Sequence, residues 1–327
     1  MLEALDVRIG RPVAVKELLG KAPALAARFE REARVTARLQ HPGIVPIYEI
    51  GKWPDGTPFY SMRMVEGRTL REAVRDRKTL DERLALVPAI IAAAEAVAFA
   101  HARGVIHRDL TPNNVLVGAH GDTVVIDWGL AKDLDEASEE QPASPYRGEA
   151  GASGQLTSAG AVIGTAAYMP PEQANGESVD QRADVYALGA ILYHVLVGEP
   201  PYRASASEDL VRQVRSGPPP RVRELATGTP LDLASVVDKA MARDPEARYA
   251  SAGELVEELR RFQTGRLVEA HHYSRRERWT RWVRAHRARV LATFTAMVVL
   301  AIAGSLGLAG VLRERDRAEH ERAVADA

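Results

Sequence analysis

The sequence predicts an α+β fold followed by one membrane-spanning helix, and three observations carry that expectation. Short β-branched runs with strand alternation, beginning with PVAVKELL at Pro12–Leu19, are mixed with longer helical patterns over residues 1 to about 265. Two apolar runs, Val115–Val117 and Val124–Ile126, flank the turn-like GAHGDT and mark a hairpin. From Val290 to Leu312 there is no charged residue. As a helix those roughly 23 residues would extend about 35 Å, against a hydrocarbon core of about 30 Å.

With 327 residues and 46% apolar content, the chain can bury a sizeable core in one large domain or two smaller ones. Its net charge of -1 gives no global case for nucleic acid, because a polyanion-binding domain carries a clear basic excess. With no cysteine there is no disulfide framework, thiolate nucleophile or thiolate metal site. Met1–Gly10 lacks the basic start and apolar run of a secretory signal.

Along Pro12–Leu19, Val13 and Val15 fall on one face of a strand and Ala14, Lys16 and Leu18 on the other, so Lys16 points to a largely apolar side. A helix over about Ala24–Leu39 follows, with Leu25, Phe29, Thr36 and Leu39 inward; Glu32 lies on that stripe and Glu30 does not. A carboxylate on a buried face requires a cation, and Lys16 is the candidate.

In the hairpin, facing Leu116 with Val125 puts Asn114 opposite Asp127, with Cβ atoms about 5 Å apart. Two oxygen ligands converging in this way suit Mg²⁺, commonly completed by phosphates. Asp109, in the loop just before, is placed to accept a proton from an attacking hydroxyl. His101 and His107 read as packing histidines, since neither has a second ligand at i+3 or i+4. Ser138–Gly160, rich in Ser, Gly, Ala, Glu and Pro, reads as a long loop, and Ser251–Glu254 as a capping box.

Near the end, seven arginines lie between Arg275 and Arg289, whereas after Leu312 arginines alternate with acids. That bias puts the N-terminal side in the cytoplasm, and Trp279 and Trp282 suit an interfacial anchor. Ala303 and Gly307 have the spacing of a small-xxx-small helix contact.

VAVK at Val13–Lys16, the helix glutamate Glu32, HRDLTPNN at His107–Asn114 and DWG at Asp127–Gly129 occur in the order and spacing of the protein kinase superfamily. The chain resembles its eukaryotic-like, bacterial-type serine/threonine branch over roughly residues 1 to 263. The resemblance implies a bilobal fold, with a small β-rich N-lobe over 1–66 and a helical C-lobe over 67–265. A basic juxtamembrane segment at 266–289, the membrane helix at 290–312 and the start of an extracytoplasmic charged segment at 313–327 complete the expected organisation.

By the same resemblance the cofactors are ATP and Mg²⁺. Lys16 holds the α and β phosphates and pairs with Glu32, Asp109 is the catalytic base, and Asn114 and Asp127 bind the metal. Ala14, Met62 and Met64 join Lys16, Asn114 and Asp127 around the nucleotide, with Met62 as gatekeeper and Arg63–Val65 as hinge. GTAAYMPPEQ at Gly164–Gln173 resembles the segment closing the activation loop, and its Thr165 favours Ser/Thr substrates. Glu172 should pair with Arg248, and Asp184 should hold the catalytic-loop backbone. Implied partners are protein substrates, the membrane through residues 290–312 and a second copy in autophosphorylation, without nucleic acid. Phosphate on Ser153, Thr157 or Ser158 could pair with Arg108 and order the loop.

Three positions depart from the family pattern. Trp128 replaces the usual Phe after the metal-binding Asp. Thr111 stands where a lysine usually contacts the transferred phosphate, removing one charge-assisted bond. ALDVRIGRPVAVK resembles the tail of the second strand, a turn at Gly10 and the third strand, so the family's glycine-rich loop is missing. The coding region is therefore expected to extend upstream, this chain to bind Mg-ATP weakly, and strand Val13–Lys16 to lack a partner on one edge. These departures leave a pseudokinase, acting as a membrane-tethered binding module, as the rival reading.

Overall fold

Gly10, at φ +67°, turns the chain between β1 (Leu2–Asp6) and β2 (Arg11–Glu17), which pair antiparallel with Leu2 opposite Val15. This is the first feature of a computed structural model that describes residues 1–18, 23–119, 121–128, 132–133, 165–204 and 206–325. The chain divides into two units, Met1–His271 and His272–Ala327.

In the first unit α1 (Pro23–Arg38) follows β2, and β3 (Ile47–Lys52) and β4 (Pro58–Arg63) complete a four-stranded sheet in the order β1, β2, β4, β3. Strand β2 thus pairs on both edges, with β1 and with β4. The expectation that Val13–Lys16 lacks a partner on one edge is corrected for Val13–Val15: Leu2–Asp6, only a strand's tail in sequence, pairs with Arg11–Val15, and Lys16 pairs with β4 alone. Ala14, Phe29, Ala33, Val45, Tyr60, Met62 and Val124 form one buried cluster between sheet and helix. Phe29, Glu32, Thr36 and Leu39 are buried, the Phe29 ring lying 5.0 Å from that of Tyr60 on β4, but Leu25, one turn earlier on the same stripe, is exposed.

Strand β5 (Gly67–Thr69) leads into α2 (Leu70–Arg75), whose Thr69 and Glu72 form a reciprocal capping box. The short α3 (Leu80–Leu84) precedes α4 (Val87–His101). The stretch Leu80–His101 is apolar and long enough to cross a membrane, but 61% of it is buried, as befits a core helix. After β6 (Val105–Ile106) come the hairpin strands β7 (Val115–Gly118) and β8 (Thr123–Val125).

The expected hairpin register is off by one residue. Val115 faces Val125 and Leu116 faces Val124, because Thr123, read as turn, already pairs with Val117. Gly118 closes the tighter turn by donating its N–H to the Asp122 carbonyl at 2.8 Å. Asn114 therefore lies opposite Ile126, whose N–H donates to the Asn114 carbonyl at 2.9 Å, and Asp127 falls one residue beyond.

A short strand β9 (Lys132–Asp133) pairs antiparallel with β6, and the elements from Pro171 on are helices: α5 (Pro171–Asn175), α6 (Arg182–Val197), α7 (Ser207–Ser216), α8 (Val222–Leu225), α9 (Leu231–Ala240) and α10 (Ala252–Gln263). Helix α6 forms the centre, buried from Ala183 to Leu196. The Ser251 hydroxyl caps α10 by accepting from the Glu254 N–H. In the second unit, α11 (Arg275–Ala285) begins with a Ser274–Glu277 capping box and α12 runs from Arg287 to Ala325. Its stretch Arg287–Ser305 is long and apolar enough to cross a membrane. Gly129, the loop Ser138–Gly160 with Ser153, Thr157 and Ser158, and Gly164 lie outside the described residues.

Candidate active site

Strand β2 and helix α1 bring Lys16 and Glu32 together as strand alternation and helix spacing require. Lys16 Nζ donates to Glu32 Oε1 at 2.7 Å and to Asp127 Oδ1 at 3.0 Å. Burial pulls the Lys16 ammonium down, but the charges of Asp127 and Glu32 and their hydrogen bonds outweigh it and raise its pKa. Lys16 is therefore charged at neutral pH. Asp127 has φ +64°, a left-handed conformation uncommon for a residue with a side chain, and from it reaches Lys16 despite the shifted register. Ala14 pairs with Met62 across β2 and β4, both buried, and Met64 packs against the same cluster. The sheet thus supplies an apolar wall beside the charged trio.

The loop after β6 is held from beneath by Asp184, in the first turn of α6 and 1% exposed. Its Oδ2 accepts from the His107 N–H at 2.7 Å and lies 2.8 Å from His101 Nε2, and its Oδ1 accepts from the Arg108 N–H at 2.8 Å. Burial raises the Asp184 carboxyl, but the hydrogen bond and charge of His101 and the contacts with His107 outweigh it, and the pKa ends below its ordinary value. Arg108 has φ +69°, and its carbonyl accepts from Gln173 Nε2 at 2.9 Å.

His107 is fully buried and its pKa is lowered, chiefly by that burial, so the ring is neutral. Its Nε2 lies 3.2 Å from the Ile126 carbonyl and its Nδ1 accepts from the Asp109 N–H at 3.3 Å. Asn114 Nδ2 donates to the Asp109 carbonyl at 2.8 Å. The loop that carries Asp109 is thus tied both to the hairpin and to α6.

Trp128 is buried against His107, with ring centroids 4.6 Å apart, and its indole N–H finds no acceptor among the described residues. Thr111 is buried and its hydroxyl accepts from the Asn113 N–H at 3.3 Å. Arg248 donates to both oxygens of Glu172, at 2.7 and 2.8 Å, in the pairing the sequence suggested.

Among the expected site residues, Lys16, Glu32 and Asp127 are in direct contact and Asp109 and Asn114 form a second bonded pair. The hydrogen bond from Ile126 to Asn114 links the two groups. Sequence reasoning missed Tyr60 and Gln173. Tyr60 could have been found from register, since it is the cross-strand partner of Lys16.

Residues 2–259 match the family described as Protein kinase domain. The chain belongs to the protein kinase family. Serine/threonine-protein kinase PknB of Mycobacterium tuberculosis is 40% identical over 275 residues, which cover 82% of this chain and 41% of that protein. PknD of Protochlamydia amoebophila is 35% identical over 279 residues, covering 80% and 28%. The crystal structure of the Mycobacterium tuberculosis PknI kinase domain superposes with a TM-score of 0.54 at 27% identity, covering 76% of this chain and 85% of that one. These relatives place the kinase domain with the bacterial serine/threonine protein kinases. The chain spans about two-fifths of the length of the PknB sequences it matches.

Proposed function

We propose that this chain transfers the γ-phosphoryl group of ATP to serine and threonine hydroxyls of proteins. The observation that carries the reading is the contact of Lys16 with both Glu32 and Asp127, a cation shared between two carboxylates at the rim of an apolar wall. Lys16 holds the α and β phosphates while Glu32 fixes its direction. Asp109 accepts the proton of the attacking hydroxyl as the new O–P bond forms and the bond to the leaving ADP breaks.

The donor set fits Mg²⁺. The Asn114 amide and the Asp127 carboxylate offer hard oxygen ligands, and Asp127 already faces a cation at 3.0 Å. When bound there, the metal would neutralise charge on the phosphates. Ala14, Met62 and Met64 supply the apolar side of the nucleotide site. Thr111, a hydroxyl in place of a cation, leaves the transferred phosphate one charge-assisted contact short and makes a slower enzyme. The joint presence of Lys16, Glu32, Asp109, Asn114 and Asp127 supports transfer over the pseudokinase reading.

Residues 290–312 span a membrane, with residues 1–289 cytoplasmic and Arg313 onward outside; the arginine bias and the apolar α12 support this placement. The kinase then acts in membrane-associated signalling, with self-association as a route to loop autophosphorylation. Both parts of the reading can be tested on the full chain. Lys16→Met or Asp127→Ala should lower phosphoryl transfer by orders of magnitude with the melting temperature retained, and unchanged transfer in both variants refutes the site. A reporter fused after Ala327 should behave as extracytoplasmic, and cytoplasmic activity of that fusion in the membrane fraction refutes the topology.

A further inference from the structure

Glu32 is 8% exposed and lies on α1 between Phe29 and Ala33, two residues of the buried core cluster. A buried carboxylate must be held by donors or it becomes neutral or moves. Lys16 is one donor, but its ammonium is divided: it also bonds Asp127, and in the proposed reaction it must serve phosphate oxygens. The second donor is Tyr60 of β4, whose hydroxyl donates to the same Glu32 Oε1 at 2.8 Å. Tyr60 is 4% exposed, its ring packs on Phe29 one turn before Glu32 on α1, and the Lys16 ammonium lies 5.8 Å from its ring centre. Because Tyr60 and Lys16 are direct cross-strand partners, β2 and β4 deliver both donors to one carboxylate oxygen from adjacent strands.

We propose that Tyr60 is a positioning residue for phosphoryl transfer, holding the Glu32 carboxylate, and with it α1, in register with Lys16 when the lysine turns to phosphate. The role rests on the kinase reading of Lys16 and Glu32. An ionised acceptor makes the bond stronger than a neutral one, and a hydroxyl anchored by a buried ring loses little entropy in making it. Tyr60 acts through Glu32 and needs no contact with nucleotide.

The test is a double-mutant cycle on the full chain, measuring transfer rates against ATP concentration for wild type, Tyr60→Phe, Glu32→Gln and the double variant, followed for hours so that slow variants register. Phenylalanine keeps the ring and its packing on Phe29, and a thermal melt checks the fold of each protein. Tyr60→Phe should lower kcat about tenfold while changing the KM for ATP by less than about threefold. In the Glu32→Gln background the same substitution should cost less than about twofold, because the hydroxyl has lost the charge it serves. Equal losses in both backgrounds, or no loss in wild type, overturn the proposal; a purely structural tyrosine would give the former. Lys16→Met separates the two levels. If it abolishes transfer while Tyr60→Phe is silent, only the role of Tyr60 fails, whereas undiminished transfer in Lys16→Met removes the kinase reading on which that role rests.

Discussion

Replacing Asp184 by asparagine tests whether a single buried carboxylate holds the loop of Asp109. Asp184 accepts three hydrogen bonds at 2.7–2.8 Å, two of them from the successive backbone N–H groups of His107 and Arg108. Asparagine has one acceptor oxygen, and its NH₂ must face a donor that the carboxylate accepted. One buried N–H is left unpaired, at about 1–3 kcal/mol, and the surviving bonds lose their charge assistance. The total is roughly 2–4 kcal/mol, a large part of the 5–15 kcal/mol typical of a domain. For a unit of this size that corresponds to a fall in melting temperature of about 5–12 °C. Arg108 should lose its left-handed conformation first, because Asp184 holds its N–H, and among the described residues the bond that then remains is that of Gln173 to its carbonyl. The assay is a thermal melt alongside ATP-dependent transfer at a temperature where both proteins are folded. A melting point within about 1 °C of wild type together with unchanged transfer would refute the reasoning.

His194 is buried 2.6 Å from the Tyr168 hydroxyl, and its pKa is lowered to about 4, chiefly by burial and then by Arg71, Arg203 and Arg83. Because the folded state binds its proton less readily than the unfolded one, stability is lost as pH falls from 6.5 to about 4. That loss is worth roughly 3 kcal/mol. Urea melts across that range should show the loss and show it diminished in His194→Asn; equal slopes in both proteins would exclude His194 as the cause. For the Glu172–Arg248 pair, Arg248→Met leaves a buried carboxylate without its cation and should cost about 3–5 kcal/mol, whereas Glu172→Met with Arg248→Met together should cost less than either alone. Additive losses in melts of the three variants would contradict a buried, mutually dependent pair.

Much of the site was legible before any fold was known, because two periods intersect there. Strand alternation put Lys16 on an apolar face and helical spacing put Glu32 on another, and only their mutual contact satisfies both. The hairpin was legible in kind but not in register: reading Thr123 as turn shifted the pairing by one, and the left-handed φ of Asp127, invisible to a pattern argument, aims its carboxylate at Lys16. Leu25 has the stripe's spacing but is exposed, near the helix's first turn and one turn before the buried Phe29. Asp184 in a helix's first turn looks locally like a favourable charge at a helix N-terminus. Its partners His101, His107 and Arg108 lie 76 to 83 residues away, so spacing alone could not reveal them. Tyr60 was missed because an aromatic in a strand reads first as core, which it also is.

Transfer of labelled γ-phosphate by the purified full chain, with Mg²⁺ and a protein carrying accessible serine and threonine hydroxyls, bears most directly on the central claim. It should be compared with Asp109→Asn, a near-isosteric change that keeps the backbone bonds to His107 and Asn114 but removes the proton acceptor. Wild type should label serine and threonine at a rate that Asp109→Asn lowers at least about a hundredfold, with melting temperatures alike. Equal labelling by the two proteins, or none by wild type under conditions where it binds Mg-ATP, would contradict a kinase whose base is Asp109.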